Sequence, residues 1–364
     1  MQDQLTPSHR SDPRASTPWG VGILGAGPVT QAIHLPTLSR LQKHFTVRAI
    51  MDVDPEVAAS VAARVGARVA PTMADLLQDP TVEVVVICSP HRFHAEQVIA
   101  ACHAGKRAIL CEKPFAMTPE EARGIAEVSA ETGVPILVGA MHTYDPAWLA
   151  ARAAWGNFPA GVHTVRSSIV LPPNAYFEDS ATEVLGRPDP VPADFSDPEQ
   201  VAERVLGGVM GLAIHDLPLV RTFVPDGTPI EVVRAAALAP GGYHIVLRAG
   251  ALAIELHAAL TDNWEPSWFF EAIGEDASIA VDFGPSYIHA GSAVVTLAQN
   301  GRRTVFGREI HNGYAGEWLH LAEVAAGATP AQPADTLIED LRFALTIADT
   351  ASNLARNTVK AAHA

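Results

Sequence analysis

Between Trp19 and Met141 short apolar runs alternate with segments of helical periodicity, the pattern of a parallel sheet whose strands are joined by crossover helices. Val21 to Leu24, Val47 to Met51, Val82 to Cys88, Ala108 to Cys111 and Ile136 to Ala140 read as strands. Pro36 to Gln42, Val57 to Gly66, Ala95 to Ala104 and Pro119 to Gly133 read as helices. The last opens on Thr118 with Glu121 three residues on, a capping box, and Gly66, Gly105 and Gly133 stand where helices end. Beyond His142 the pattern becomes a succession of β-rich runs: Gly161 to Leu171, Ile230 to Leu238, Gly242 to Leu247, Leu252 to Ala259, Ser267 to Ile273 and Ala277 to Phe283. These predict a large, mostly antiparallel, open-faced sheet in an α+β domain. Pro172 to Gln200, rich in proline and acid, reads as a long surface loop, and the chain ends in helical segments at Glu317 to Gly327 and Pro333 to Arg356.

The expected organisation is therefore α/β: a disordered polar tail over 1–16, a doubly wound parallel-sheet domain over 17–141, and an α+β substrate and oligomerisation domain over 142–364. A 364-residue chain with 48% hydrophobic residues can fill two cores. Forty acidic against 25 basic residues, a formal charge of -15, repel phosphate backbones and anionic lipid, so nucleic acid and membrane partners are not expected. Cys88, Cys102 and Cys111 lack metal-type pairing and read as reduced core residues of a cytoplasmic protein, with no metal site. No window offers the ~18 consecutive apolar residues needed to span a bilayer.

The first strand runs into Gly25-Ala26-Gly27-Pro28-Val29-Thr30 and then a helical pattern. Gly25 and Gly27 permit a tight turn and close backbone approach to a pyrophosphate at a helix N-terminus. Thr30 stands where the third glycine of a dinucleotide fingerprint would be. Asp52 ends the second strand, placed to accept hydrogen bonds from a ribose hydroxyl, and its charge opposes a 2′-phosphate. NAD is thus favoured over NADP unless Arg48 or Arg64 folds in, while Asp52 and Asp54 also suit a plain turn before Pro55. Ser89, Pro90 and His94 lie on the next loop along this edge, flanking the nicotinamide side, although a histidine opening a helix is also an ordinary cap. The strand Ala108 to Cys111 stops on Glu112-Lys113-Pro114, and proline after lysine fixes an extended exit that aims Lys113 beyond the carboxyl edge of the sheet.

With ICSPHRFHAEQVIAACHAGKRAILCEKPFAMT, GAMHTYDPAW at 139–148, GGVMGLAIHDLPLVRTF at 207–223 and WFFEAIGEDASIAVDF at 268–283 in order, the chain resembles the glucose-fructose oxidoreductase, inositol dehydrogenase and MocA (Gfo/Idh/MocA) family. The resemblance implies a Rossmann domain and a sugar or cyclitol dehydrogenase. In it Lys113 and His215 face the nicotinamide, Glu112 supports the cofactor, the histidine accepts the hydroxyl proton and the lysine positions the oxygen. A neutral imidazole suits proton acceptance near physiological pH, and an ammonium stabilises developing negative charge on oxygen.

One departure is sharp: the family's usual aspartate four residues before the histidine is Gly211 here. Asp216 is adjacent to His215 but points elsewhere on a helix. His142 stands where inositol-type relatives often present arginine. His142, Tyr144, Gly211, Asp216 and Trp268 are the positions expected to meet substrate; Trp264, Trp268 and Tyr176 suit either a sugar-facing wall or core packing. Three functions compete: NAD-dependent oxidation or reduction at a ring carbon of a sugar, cyclitol or sugar derivative; a redox-neutral epimerase or lyase with tightly held NAD; and an NAD-binding regulator that lost catalysis with Gly211. A homodimer or homotetramer is expected.

Overall fold

The computed structural model describes residues 17–189, 191–261, 265–285 and 287–362. The expected tail over 1–16 and Trp264 lie outside the described residues. The first sheet contains β1 (Trp19–Leu24), β2 (Phe45–Met51), β3 (Arg68–Val69), β4 (Val84–Ile87), β5 (Ala108–Cys111) and β6 (Ile136–Val138). All its pairings are parallel, in the order β3-β2-β1-β4-β5-β6. The order reverses between β1 and β4, which opens a crevice beyond their carboxyl ends. β1, β4 and β5 are almost wholly buried, as strands covered by helices on both faces must be. The capping box at Thr118 forms: its Oγ1 accepts from Glu121 N at 3.1 Å, while Glu121 Oε2 reaches back to Met117 N at 2.7 Å.

The second sheet contains β7 (Val162–Leu171), β8 (Ile230–Ala237), β9 (Gly242–Ala249), β10 (Leu252–Leu260), β11 (Ser267–Gly274), β12 (Ala277–Phe283), β13 (Val294–Gln299) and β14 (Arg302–Phe306). Its order is β14-β13-β12-β11-β7-β10-β9-β8, antiparallel except for the β7–β10 pair. Alternation along β7 turns Val165, Ser167, Ile169 and Leu171 inward. The helices Pro198–Gly211 and Ala334–Ala362 pack on each other and on β8.

Two differences from the sequence reading bear on the site. The stretch expected as a surface loop contains a helix, Asn174–Ala181, whose phase buries Phe177 and leaves Tyr176 65% exposed. The helix Gly313–Ala325 belongs in packing terms to the first sheet: Trp318 is fully buried and meets Phe45 of β2 edge-on at 5.0 Å. Among the described residues no helix is long and apolar enough to cross a membrane, and no group of three or more His, Cys, Asp or Glu side chains is placed to hold a metal.

Candidate active site

A cleft opens where the carboxyl edge of the first sheet meets the second domain. Eight of the residues singled out from sequence line it: Val29, Ser89, His94, Glu112, Lys113, Gly211, His215 and Trp268. The glycine turn adjoins it through Val29. Gly25 adopts φ +94°, and a Cβ there would lie 2.6 Å from Ser89 N, so both conformation and contact require glycine. A Cβ at Gly27 would meet nothing within 4 Å, leaving its backbone open to a ligand. Thr30 replaces the third glycine without loss of the turn, because its hydroxyl donates to Gly25 O at 2.6 Å. Asp52, at the end of β2, accepts from Ala26 N at 2.6 Å and from Asp54 N at 2.9 Å, which ties the acid to the turn. This cradle fits a dinucleotide: an open glycine backbone, a helix start and a carboxylate at the second strand end.

Lys113 leaves β5 through a cis peptide bond to Pro114. Its ammonium donates to Gly211 O at 2.8 Å across the cleft. Burial, partly offset by Glu112, lowers the Lys113 pKa from its ordinary value. Glu112 is held from both sides. Its Oε2 accepts from Lys113 N at 3.1 Å, and its Oε1 lies 3.0 Å from His34 Nε2. Trp318 Nε1, a donor only, points at His34 Nδ1 at 3.1 Å, so the His34 proton sits on Nε2 and is donated to Glu112. Burial opposes the Glu112 charge, but the His34 hydrogen bond and the Lys113 charge hold its pKa below the ordinary value. Neither His34 nor Trp318 stood out in the sequence, since the pair is 284 residues apart.

His215 lies on a single 3-10 turn, Ala213–His215, following the helix Pro198–Gly211. Its Nδ1 is sealed from solvent and has no partner among the described residues, so Nε2 is the nitrogen available to a ligand in the cleft. Burial, then the charges of Lys113 and His142, hold its pKa well below 6.5. On the rim, burial and the Lys113 charge push His91 down to about 4. His94 spans the β4 and β5 loops, its ring nitrogens 2.8 Å from Pro114 O and 2.8 Å from Ser89 O. Pro90 only precedes the 3-10 turn His91–Phe93 and does not line the cleft.

Three expected substrate contacts do not reach the cleft. Asp216 is fully buried beneath His215, where it accepts from His142 Nδ1, Ser167 Oγ and Trp268 Nε1. His142 is stacked on Phe283 with ring centroids 3.6 Å apart and faces a separate, smaller cavity. Tyr144 packs into the core under the first sheet. The opposite wall holds residues that sequence reasoning passed over: Asn174 and Phe177 from the unexpected helix, Tyr287, and Tyr314 from the returning helix.

Residues 19–140 match the family model described as "Oxidoreductase family, NAD-binding Rossmann fold". Inositol 2-dehydrogenase 3 of Saccharopolyspora erythraea is 39% identical over 126 residues, 34% of this chain and 37% of that protein, so this match spans little more than a third of the relative. Inositol 2-dehydrogenase 2 of the same organism is 28% identical over 85% of this chain and 94% of its own length. Among solved structures, UDP-N-acetylglucosamine 3-dehydrogenase GnnA from Acidithiobacillus ferrooxidans superposes with a TM-score of 0.67 at 21% identity, covering 92% of this chain and 98% of that one. KijD10, a 3-ketoreductase from Actinomadura kijaniata, superposes with a TM-score of 0.66 at 19% identity, covering 89% and 95%. The match of residues 19–140 to that family model, the similarity to inositol 2-dehydrogenase 2 along most of the chain and the two-sheet fold relate this protein to the Gfo/Idh/MocA family of oxidoreductases.

Proposed function

We propose that the chain is an NAD-dependent dehydrogenase or reductase acting on a ring carbinol, or the corresponding ketone, of a sugar, cyclitol or sugar derivative, with Lys113 and His215 as its catalytic pair. The observation that carries this is the convergence of those two side chains on one cleft beside the glycine turn. When bound, the nicotinamide supplies hydride acceptance from, or donation to, the ring carbon. The chain's own residues do the rest. His215 Nε2, neutral because burial and neighbouring charge disfavour the cation, takes the hydroxyl proton during oxidation and returns it during reduction. Lys113 retains N–H donors beyond the one given to Gly211 O and can hold the reacting oxygen as negative charge develops. Glu112, locked by His34, keeps Lys113 aimed, and Gly25, Gly27, Pro28 and Val29 receive the dinucleotide.

NAD is preferred to NADP because Asp52 occupies the ribose end of the turn and the two candidate arginines are engaged elsewhere. Arg64 donates to Glu183 O at 2.6 Å and Gln31 Oε1 at 3.3 Å. The Arg48 side chain packs over Gly20, at the far end of β1 from the turn. Relatives named as inositol dehydrogenases, a sugar 3-dehydrogenase and a 3-ketoreductase support ring chemistry, although that ketoreductase was crystallised with NADP. The test is reduced-nicotinamide absorbance with NAD or NADP and a panel of cyclitols, aldoses, sugar acids and keto-sugars, with Lys113→Ala as control. Turnover with NAD that disappears in the variant is the expected result. Epimerisation or elimination without net reduced cofactor would favour the redox-neutral reading instead. The proposal extends to a homodimer or homotetramer, which a monomer in light scattering at micromolar concentration would sink.

A further inference from the structure

The charge around Lys113 is unbalanced. Among the described residues no carboxylate pairs with its ammonium, whose hydrogen bond goes to a backbone carbonyl, Gly211 O at 2.8 Å. The histidines and charged residues lining the cleft are His91, His94, His215, Lys113 and a single carboxylate, Glu112, beside the weaker acids Cys88, Tyr287 and Tyr314. Both oxygens of Glu112 are already taken, by His34 Nε2 and Lys113 N. Glu112 offsets only part of the cost of burying the ammonium, and an anion entering the cleft would supply the rest. The positive field is felt by its neighbours: the Lys113 charge contributes to lowering the pKa of both His91 and His215.

There is room for that anion. A Cβ built on Gly211 meets nothing within 4 Å, so a ligand group can occupy the space at the residue whose carbonyl holds the Lys113 ammonium. Gly211 lies outside the left-handed region, so glycine is not demanded there by conformation. A neutral polyol can bond to Ser89, Asn174 and His215 along this wall but brings no charge to Lys113.

We propose that the substrate supplies the missing acid: a sugar acid or keto-sugar acid whose carboxylate lies on the carbon next to the reacting carbinol, fills the space at Gly211 and pairs with Lys113. The three ammonium protons then have three acceptors: Gly211 O, the reacting oxygen and the substrate carboxylate. This rests on the dehydrogenase reading and narrows its substrate class.

The experiment uses matched pairs that differ only in the acid, glucuronate against glucose and galacturonate against galactose, with NAD present. Binding is read by calorimetry and turnover by cofactor absorbance. Wild type is expected to favour the acids by about 10–100-fold in both Kd and kcat/KM, the range of one charge-assisted hydrogen bond pair. Gly211→Asp, which places a carboxylate where the substrate's would lie, is expected to abolish or reverse that preference. Gly211→Asn, with equal bulk and no charge, is expected to weaken both members of each pair alike, and circular dichroism checks that each variant folds. Turnover of the neutral sugars as well as or better than the acids overturns the inference while upholding the dehydrogenase. Selective acid binding without turnover of any pair upholds the charge recognition and sinks the dehydrogenase reading.

Discussion

The carboxylate of Asp216 lies 2.6 Å from His142 Nδ1, and its other oxygen accepts from Ser167 Oγ at 2.6 Å and Trp268 Nε1 at 2.9 Å. This fully buried knot joins the β6 exit, β7, β11 and the turn that carries His215. Three donors converge on two oxygens, so only an acceptor-only group satisfies them. Asp216→Asn must turn an NH₂ toward at least one donor, and Asp216→Ala leaves all three unpaired. We expect Asp216→Ala to lower stability by about 3–5 kcal/mol, with Asp216→Asn intermediate, measured as the shift in urea midpoint. A loss below about 1 kcal/mol in Asp216→Ala would show that the knot is dispensable.

His215 gives a pH dependence whose direction is set by its surroundings. Burial, Lys113 and His142 all disfavour the imidazolium, so the neutral base persists to lower pH than for a solvent-exposed histidine. The acid limb of kcat/KM for oxidation should therefore have its midpoint below pH 6.5. Replacing His215 by Asn should remove that limb and reduce kcat by about 10²–10⁴-fold. Removing the neighbouring charge with Lys113→Met should raise the His215 titration midpoint, read by NMR. An unmoved midpoint would mean that the ammonium and imidazole are not electrostatically coupled.

The nucleotide-binding half was legible because its signals are local. The apolar runs that became β1, β2, β4, β5 and β6, the capping box at Thr118 and the glycine turn each occupy a few consecutive residues. The helix over Asn174–Ala181 was hidden by the prolines and acids around it, although Phe177 then becomes a wall of the cleft. The β13–β14 hairpin is different: Asn300-Gly301, both at positive φ, is a strong turn signal between alternating residues, and a reading that ends its strands at Phe283 overlooks it. His142, Tyr144 and Asp216 carry the right chemistry for substrate contact, but sequence spacing does not reveal that partners far along the chain have already buried them. Trp318 and Tyr314 could be placed only by knowing that the helix Gly313–Ala325 returns to the first sheet.

Gln31 links the glycine turn to a segment more than 150 residues away. Its Nε2 donates to Ala26 O at 2.7 Å and Leu185 O at 2.9 Å, and its Oε1 accepts from Leu185 N at 3.0 Å. The 182–186 segment is thereby fastened across the start of the helix that follows the turn. Gln31→Ala removes these bonds, about 1–3 kcal/mol together, and should weaken NAD binding by about 5–100-fold in calorimetry. Gln31→Glu should be worse, because it sets a carboxylate against two carbonyl oxygens. Unchanged NAD affinity in both would show that the turn holds its shape without the clamp.

Glu317 is fully buried on the helix that carries Tyr314 and Trp318, and neither of its carboxyl oxygens has a partner among the described residues. Burial first, and the Glu112 charge second, raise its pKa well above 4.5. The folded protein thus keeps this group protonated over a range in which the unfolded chain ionises it. The unfolded state then binds fewer protons, so this residue's contribution to stability is intact below pH 4.5 and declines as pH rises towards the elevated folded value. Glu317→Gln retains the shape and cannot ionise. It should therefore be more stable than wild type at pH 8 by about 1–3 kcal/mol, the cost of an unpaired buried polar group, and the advantage should vanish near pH 4. Thermal melts of the two proteins across that interval check this. A stability gap independent of pH would mean that Glu317 acts through packing alone, and a wild type more stable than the variant at pH 8 would mean that its carboxylate has a partner when ionised.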